Sequence, residues 1–472
     1  MKVLYAASEA LPFAASGGLA DVAGSLPQAL KNRRVNCRVV MPLYGSVSDE
    51  MRASMKFITS IMVPVSWRRQ YCGIFEAKVG GVVYYLLDNE YYFKRNTFYG
   101  HYDDGERFAF FSRAILEILP YIDFKPDIIN CNDWQTALVP VYYSTLYANK
   151  EGYTGIKTVF TIHNIQYQGI YGKEILGDVF GLGEEYTSLL EFGNCINLMK
   201  GAIECANVVS TVSNTYADEI LDPWFSHGLH PILKERSFKL SGILNGIDVV
   251  NYDPETDKDI FFNYSAKEPE NKKKNKAALQ EYYNLPVKAD VPVMGIVTRL
   301  VAHKGLDLIK CVMRELLEST ELQLVILGSG DWEYEAFFKE LAAEFPEKVG
   351  LKLGFIPDLA RKIYAGADLF LMPSKSEPCG LSQMVALRYG TIPIVRETGG
   401  LKDTITDSGD GKGNGFTFKS YDAYDMLDAI RRALAAYGND AAWSKLVARA
   451  LKCDNSWGRS AREYIKLYQS LI

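Results

Sequence analysis

Short apolar runs alternate with amphipathic stretches along most of the chain. In the first half, such runs lie at Lys2–Ser8, Arg38–Pro42, Val82–Asp88, Asp127–Asn132, Lys157–His163 and Asn207–Val212. Buried parallel strands are rich in β-branched residues in this way, and helical patterns between them are typical of βα units. The first half of the chain therefore predicts a doubly wound domain with a parallel sheet.

A second series of the same kind follows, with runs at Val293–Arg299, Leu322–Leu327, Val349–Leu353, Leu369–Pro373 and Ile392–Val395. We therefore predict an α/β protein made of two tandem doubly wound, Rossmann-like domains. The turn formers Gly242 and Asn245-Gly246 predict a hinge at 242–246. This hinge places the two domains at residues 1–241 and 247–455.

Composition and charge narrow the classes of function. Of the 472 residues 48% are apolar, and the formal net charge is -5. The dense basic run at 271–276 is too short for a nucleic-acid stripe, and no run reaches the ~20 apolar residues of a membrane span. Glu9 and Pro12 interrupt the apolar start of the chain, which disfavours a signal peptide. We expect a cytoplasmic protein with no nucleic-acid or membrane partner.

Eight cysteines lie far apart, with no spacing that suggests a zinc site or a disulfide framework. No metal and no cofactor are expected. A neutral or anionic small molecule is the expected ligand.

Polar residues and glycines gather where the predicted strands of the first half end, and ligands bind at such ends in open α/β sheets. Gly17-Gly18 begins a helix after the first strand and can hold phosphate oxygens, although such a turn is more often a plain chain reversal. The segments Asn132–Gln135 and His163–Gly169 offer a carboxylate, aromatic rings and an imidazole that can contact sugar hydroxyls. A lone histidine is, however, usually structural.

Two cations and a carboxylate follow strands of the second half. Arg299 and Lys304 can converge on a diphosphate, unless they belong to a solvated charged loop. Glu377 lies in a tight turn, where it can accept hydrogen bonds from hydroxyl groups; a helix cap or an ion pair is the structural alternative. Thr398-Gly399-Gly400 forms another glycine turn.

Together these motifs resemble the bacterial glycogen synthases and plant starch synthases, along nearly the whole chain. The motifs that carry the resemblance are Gly17–Val22, Asn132–Trp134, His163-Asn164, Tyr167–Gly169, Leu244–Asp248, Arg299-Leu300, Lys304–Asp307, Ser374, Glu377–Leu381 and Thr398–Leu401. The resemblance implies the GT-B architecture, in which two Rossmann-like domains face each other across a cleft. It also implies transfer of glucose, with retention, from a nucleotide sugar to the non-reducing end of an α-1,4-glucan. ADP-glucose is the favoured donor and UDP-glucose the alternative, and glycogen or maltooligosaccharides are the acceptors.

The resemblance also implies roles for individual residues. The catalytic set is Arg299, Lys304, Glu377, His163 and Asp133. Nucleotide-sugar contacts are implied for Gly17, Gly18, Asp21, Asn245, Phe355, Ser374, Cys379, Gly380, Leu381, Thr398, Gly399 and Gly400. Trp134, Tyr167 and Gln168 line the acceptor and glucose subsite, and a C-terminal helix at 456–472 packs back on the first domain.

The chain departs from the family pattern at three positions. Ala15 stands where relatives usually carry lysine, Gln135 where they often carry histidine, and Val385 where related retaining transferases often carry a carboxylate. The missing lysine leaves open a weakly active or silent paralogue that binds glucan or nucleotide. A GT-B enzyme with another acceptor is a further alternative. A nicotinamide-dependent oxidoreductase is disfavoured because G-x-G-x-x-G is absent. Front-face attack is favoured over double displacement, but both stay open.

Overall fold

The computed structural model describes residues 1–268 and 270–472 and divides the chain into two compact units. Unit 1 comprises Met1–Gly246 together with Trp457–Ile472, and unit 2 comprises Ile247–Ser456. Each unit has its own largely or wholly parallel sheet with helices along it. The predicted α/β class with two doubly wound domains is therefore confirmed.

Unit 1 contains strands of very different lengths. They are β1 Lys2–Ala6, β2 Asn36–Pro42, β3 Lys56–Val65, β4 Arg68–Val79, β5 Val82–Asp88, β6 Ile128–Asn132, β7 Lys157–Ile162, β8 Ile170–Tyr171, β9 Glu191–Phe192, β10 Cys195–Asn197, β11 Val208–Thr211 and β12 Leu240–Gly242. The helices that precede unit 2 are α1 Gly18–Asn32, α2 Asp49–Ala53, α3 Glu90–Phe93, α4 Asp104–Glu117, α5 Leu138–Tyr142, α6 Ile175–Asp178, α7 Thr187–Leu190, α8 Leu198–Cys205, α9 Asn214–Glu219 and α10 His230–Glu235.

Unit 2 repeats the βα alternation. Its strands are β13 Val293–Val297, β14 Gln323–Gly328, β15 Val349–Leu353, β16 Leu369–Met372, β17 Ile392–Arg396 and β18 Phe416–Phe418. Its helices are α11 Glu270–Tyr282, α12 Leu306–Ser319, α13 Trp332–Glu344, α14 Pro357–Gly366, α15 Ser382–Arg388, α16 Gly399–Thr404, α17 Ala423–Tyr437 and α18 Asp440–Leu451. The final helix, α19 Trp457–Gln469, returns to unit 1.

The main sheet of unit 1 runs in the order β12-β11-β7-β6-β1-β2-β5-β4-β3. It is parallel except at one edge, where β3 and β4 form an antiparallel hairpin and β4 pairs antiparallel with β5. A small antiparallel sheet contains β8, β10 and β9. Helix α19 packs on α1, and the Tyr468 hydroxyl donates to Asn130 Oδ1 of β6 at 2.9 Å.

The sheet of unit 2 runs in the order β15-β14-β13-β16-β17-β18 and is wholly parallel. Successive side chains of a strand point to opposite faces of the sheet, and here both faces are covered by helices. Leu324 and Ile326 of β14 pack into the core that includes α12 and α13, whereas Val325 and Leu327 pack into the core that includes α11 and α14. This double burial explains why the strands of unit 2 are continuous apolar runs.

The glycine of the predicted hinge lies within a strand. Gly242 is the last residue of β12 and pairs in parallel register with Thr211 of β11. The prediction of a turn at Gly242 is therefore wrong. The boundary between the two units falls between Gly246 and Ile247.

Candidate active site

In each sheet the strand order reverses at one place. From β1 the chain moves to β2 on one side, and from β6 it moves to β7 on the other; in unit 2 the same reversal lies between β13 and β16. Ligands of open α/β sheets bind at such switch points, beyond the carboxyl ends of the strands. Ligand-binding residues are therefore expected in the segments that follow β1, β6, β13 and β16.

The reversal in unit 2 brings together an ammonium group, a carboxylate and a hydroxyl. Lys304 Nζ donates to Glu377 Oε2 at 2.7 Å, and Ser374 Oγ donates to the same oxygen at 2.9 Å. These side chains, with Arg299 and Gly380, line a cavity of about 170 Å³. Arg299 and Glu377 of the predicted catalytic set are 78 positions apart in the sequence, and the structure places both in the lining of this cavity.

The electrostatics of this cavity favour an anion. Burial by itself raises the pKa of Glu377, but the Lys304 ammonium and the hydrogen bonds from Lys304 and Ser374 bring it below its usual range. Arg299 is exposed and has no carboxylate partner among the residues that the structure describes. Because Glu377 neutralises one cation of two, a positive charge is left for a ligand.

The two glycine turns differ in what surrounds them. A Cβ added to Gly399, which has a φ of +45°, would lie 1.9 Å from the Glu377 carbonyl oxygen, and one added to Gly400 would lie 2.0 Å from that of Cys379. The Gly400 N–H donates to the carbonyl groups of Glu377 and Pro378. Close packing against the Glu377 turn is therefore a sufficient reason for this glycine pair.

Gly17 and Gly18 have no such packing reason. A Cβ on Gly18 would meet nothing within 4 Å, and one on Gly17 would meet only Glu9 Oε1 at 3.9 Å. Both glycines are exposed, as is Ala15, at the start of α1, whose first turn carries Asp21. Space above a helix N-terminus suits an anionic ligand that approaches the backbone.

Other predicted nucleotide contacts in unit 2 surround the same turn. Cys379 is buried, Leu381 is the N-cap residue of α15, and Thr398 is that of α16. Phe355 is different, because it is 90% exposed between β15 and α14 and does not line the cavity. Its predicted contact with the base stays a prediction.

In unit 1, Asp133 follows β6 and its carboxylate is held by the next strand end. Asp133 Oδ1 accepts the His163 N–H at 2.7 Å and the Asn164 N–H at 3.4 Å. Burial raises the pKa of Asp133 to about 7, and those two hydrogen bonds oppose the shift. Asp133 also has a φ of +56°, which is uncommon outside glycine and is often found at functional sites.

His163 is held as a neutral imidazole. Burial keeps its pKa well below the usual range, and its Nε2 lies 2.8 Å from Asn132 Oδ1. Tyr5 also donates to that amide oxygen, at 2.9 Å. A neutral ring at the end of β7 can exchange hydrogen bonds with sugar hydroxyls, but it is a poor proton acceptor at neutral pH.

The predicted acceptor residues fall into two groups. Trp134 packs edge-on against Phe108, with ring centroids 5.2 Å apart, and lies 6.3 Å from Tyr171, while Tyr167 is exposed. Gln168 is buried, where it donates to the carbonyl groups of Ile165 and His227 and accepts from Asn197. Its amide is thus committed to the fold.

Asn245 is buried in unit 1, just after β12. Its carboxamide oxygen has no hydrogen-bond partner within the described part of the chain, and the same holds for Gln135. A buried oxygen without a partner calls for water or a ligand.

Sequence reasoning missed an acidic residue at the end of β1. Glu9 is buried and accepts the Ser16 N–H through Oε2 at 2.6 Å, so it holds the turn that leads to Gly17. Burial raises the pKa of Glu9, against the hydrogen bonds from Ser16. Beside it, Ser8 Oγ lies 2.8 Å from the Tyr99 hydroxyl. The available signal was position, since Ser8-Glu9 lies beyond a buried strand.

Two family descriptions match the chain. Residues 2–235 match the Starch synthase catalytic domain, and residues 283–449 match Glycosyl transferases group 1. The glycogen synthase of Geobacillus thermodenitrificans is 51% identical, with 100% of this chain and 98% of that protein covered. That of Clostridium acetobutylicum is 50% identical, with 100% of each covered.

The chain belongs to the glycogen and starch synthase family. The resemblance read from the motifs is confirmed, and with it the glycogen or starch synthase function of a glucosyltransferase.

Solved structures place this family member among the GT-B glycosyltransferases. The catalytic domain of starch synthase IV from Arabidopsis thaliana, bound to ADP and acarbose, is 36% identical, with a TM-score of 0.92 and 99% of each chain covered. Sucrose-phosphate synthase from Thermosynechococcus elongatus, at 17% identity and a TM-score of 0.63, shares the fold. Across the described residues, no helix has the length and apolar character needed to cross a membrane.

Proposed function

We propose that this glucosyltransferase moves glucose, with retention, from ADP-glucose to the non-reducing end of an α-1,4-glucan. Glycogen and maltooligosaccharides are the proposed acceptors. The observation that carries the proposal is the Lys304–Glu377–Ser374 cluster, which lines one cavity with Arg299 at the switch point of unit 2. A cytoplasmic location is proposed with it, because all eight cysteines are free thiols.

In the proposed reaction, Arg299 and Lys304 hold the diphosphate of the donor. Their positive charge stabilises the negative charge that develops on the leaving phosphate as the bond from C1 of glucose breaks. Glu377 keeps the Lys304 ammonium oriented, and we assign it hydroxyl contacts with the donor. Ser374 holds Glu377 in turn.

In unit 1, we assign Asp133, His163 and Asn245 to hydroxyl groups of the glucose, and Trp134 and Tyr167 to the acceptor. Gly17 and Gly18 present backbone N–H groups to the donor. We propose that the acceptor hydroxyl attacks C1 on the face that the diphosphate leaves. The new C1–O bond forms while the hydroxyl proton passes to the leaving phosphate oxygen, which gives retention without a carboxylate nucleophile.

ADP is the proposed nucleotide because the related starch synthase IV structure holds ADP together with acarbose. Labelled ADP-glucose and UDP-glucose, each incubated with glycogen, distinguish the donors. The proposal is supported if glycogen becomes labelled and an α-1,4-specific hydrolase releases labelled glucose from it. Failure of both donors to label glycogen would overturn it, and faster transfer from UDP-glucose would overturn the choice of donor.

A silent paralogue that binds glucan or nucleotide is the second candidate, and the exposed Ala15 beside the glycine turn favours it. An alanine leaves that end of the turn without the cation that relatives usually carry. Calorimetric titration with ADP, run beside the transfer assay, separates the two functions. Tight ADP binding with no transfer supports the second candidate, whereas measurable transfer rejects it.

A further inference from the structure

The imidazole of His163 contacts a buried asparagine that also bonds the first strand of unit 1. Asn132 is the last residue of β6, and its side chain is fully buried. Its Oδ1 lies 2.8 Å from His163 Nε2 and accepts the Tyr5 hydroxyl at 2.9 Å. The Asn132 amide therefore connects the ring that follows β7 with β1, across the strand between them.

The orientation of the Asn132 amide is fixed by its remaining contacts. Nδ2 donates to the Ala6 carbonyl at 2.9 Å and to the Asn130 carbonyl at 3.4 Å. Carbonyl oxygens only accept hydrogen bonds, so the NH2 group must face them and the amide oxygen must face His163. A flipped amide would set the Asn132 oxygen against the Ala6 carbonyl oxygen.

This orientation decides which ring nitrogen of His163 carries the proton. An amide oxygen cannot donate, so Nε2 must donate to it. Burial lowers the pKa of His163 to about 3, which keeps the ring neutral. A neutral imidazole has one N–H, and with the proton on Nε2 the other nitrogen, Nδ1, has a lone pair.

The Nδ1 lone pair is not used by the fold. The hydrogen bonds of His163 within the described residues are the Nε2 contact and the backbone N–H bond to Asp133 at 2.7 Å. Both the ring and the backbone are thus held in place. His163 is half-buried just after β7, where ligands of an open α/β sheet approach. A ligand group can therefore meet a nitrogen that only accepts.

A nitrogen that only accepts distinguishes between the groups of a nucleotide sugar. A sugar hydroxyl can donate to it, whereas ionised phosphate oxygens have no proton to donate and would face it with their own lone pairs. The match is therefore a hydroxyl group of glucose, and the diphosphate is disfavoured at this position.

We infer that Asn132 is a positioning residue, which holds the His163 proton on Nε2 and so presents the Nδ1 lone pair to a glucose hydroxyl group of the donor. The inference rests on the proposed function, because that function supplies the nucleotide-bound glucose. It separates two parts of the donor, since Asn132 should affect the binding of the sugar and leave the binding of the nucleotide unchanged.

Magic-angle-spinning NMR of protein labelled with 15N-histidine locates the proton directly, because a ring nitrogen with a proton and one with a lone pair have well-separated resonances. The chain has five histidines, and the signals of His163 are those missing in His163→Gln. The ligand-free protein should have the proton on Nε2, and this spectrum needs neither a variant nor a donor. A proton on Nδ1 would overturn the inference.

The second measurement compares Asn132→Ala with the matched control Asn130→Ala. Asn130 is equally buried two positions earlier in β6, where it bonds Thr161 and Tyr468 and has no hydrogen bond to His163. Calorimetric titration measures the binding of ADP-glucose, UDP-glucose and ADP without an acceptor. Asn132→Ala should bind the donor sugar nucleotide about three- to tenfold more weakly, as expected for the loss of one hydrogen bond, and bind ADP normally. Asn130→Ala should bind both normally.

Equal losses in the two alanine variants, or equal losses for the donor and for ADP in Asn132→Ala, would overturn the inference. The nucleotide sugar that binds is then added to the labelled protein at saturation. It should move the Nδ1 resonance of His163 towards that of a hydrogen-bonded nitrogen, and ADP should not. An unmoved resonance would also overturn the inference. Donor binding that depends on Asn132, in a protein that transfers no glucose, would overturn the proposed function and leave the inference standing.

Discussion

At the scale of single residues, the Glu377 carboxylate depends on two side-chain donors from different parts of unit 2. Lys304 reaches it from the segment after β13, and Ser374 from the segment after β16. Each donor therefore links one strand of the switch point to the other. Their loss should have different consequences, because only Lys304 carries charge.

We expect Lys304→Ala to lower kcat about a hundredfold or more, since one electrostatic contact to a developing charge has this effect. The variant should also unfold more easily, by about 3 kcal/mol, because Glu377 stays buried without its cation. Steady-state kinetics and thermal melts provide the measurements. Lys310→Ala, which breaks an exposed ion pair with Glu333 on the neighbouring helix, is the matched control. Near-normal turnover in Lys304→Ala would remove Lys304 from the reaction.

The raised pKa of Asp133 predicts that the stability of the protein depends on pH. Its pKa in the folded protein is about 7, above the value of about 3.9 for an unfolded aspartate. The folded state therefore binds more protons between these values, and this contribution to stability is present below about pH 4 and is lost as pH rises to about 7. Comparison of melting temperatures at pH 5 and pH 7.5 should show a smaller fall for Asp133→Asn than for the unchanged protein. Parallel curves would contradict the assignment.

At the scale of elements, the two glycine turns should respond to alanine in opposite ways. Gly400→Ala places a Cβ against the Cys379 backbone and should lower stability by about 1 to 3 kcal/mol. Gly18→Ala meets nothing within 4 Å and should leave stability unchanged or raise it slightly, because alanine favours helix. If the donor approaches this turn, Gly18→Ala should nevertheless raise KM for the donor. Normal kinetics in that variant would exclude the turn from the site.

The buried parallel strands and the edge strand β15 could be predicted from sequence, whereas the β3–β4 hairpin and the edge strands β12 and β18 could not. Val293–Val297 and Leu369–Met372 are apolar on both faces and stand out as continuous runs. The β3–β4 hairpin lacks this signal because one face is largely open, with Phe57, Met62 and Tyr71 exposed among polar neighbours. Strands β12 and β18 have three residues each, too few for any periodicity.

In unit 2 the structure brings several of the predicted site residues together around one cavity. Lys304 and Glu377 each follow a buried strand, and both belong to motifs with several characteristic residues. Glu9 is a single acidic residue in a loop, and only its hydrogen bond to the Ser16 amide reveals what it holds. The commitment of Gln168 to buried partners depends on residues as distant as His227, which no local pattern encodes.

At the scale of the whole molecule, unit 1 contains the two ends of the chain. Helix α19 packs on α1, and Ser460 Oγ donates to the Leu244 carbonyl while Tyr468 reaches β6. We expect truncation after Ser456 to lower the stability of unit 1, because the truncation removes α19 and with it the buried side chains of Trp457, Tyr464 and Tyr468. Differential scanning calorimetry of the truncated chain is the measurement. Tyr424→Ala serves as a full-length control, and an unchanged thermogram after truncation would contradict the expectation.

The position of α19 also sets an order of events on the ribosome. A ribosome delivers the N-terminal part of unit 1 first, then the whole of unit 2, and only then the helix that covers α1. Nascent unit 1 must wait for its last helix while unit 2 is translated and can already fold. During that interval the uncovered groove is exposed to chaperones and proteases, so codons that slow translation of unit 2 should lower the yield of intact protein.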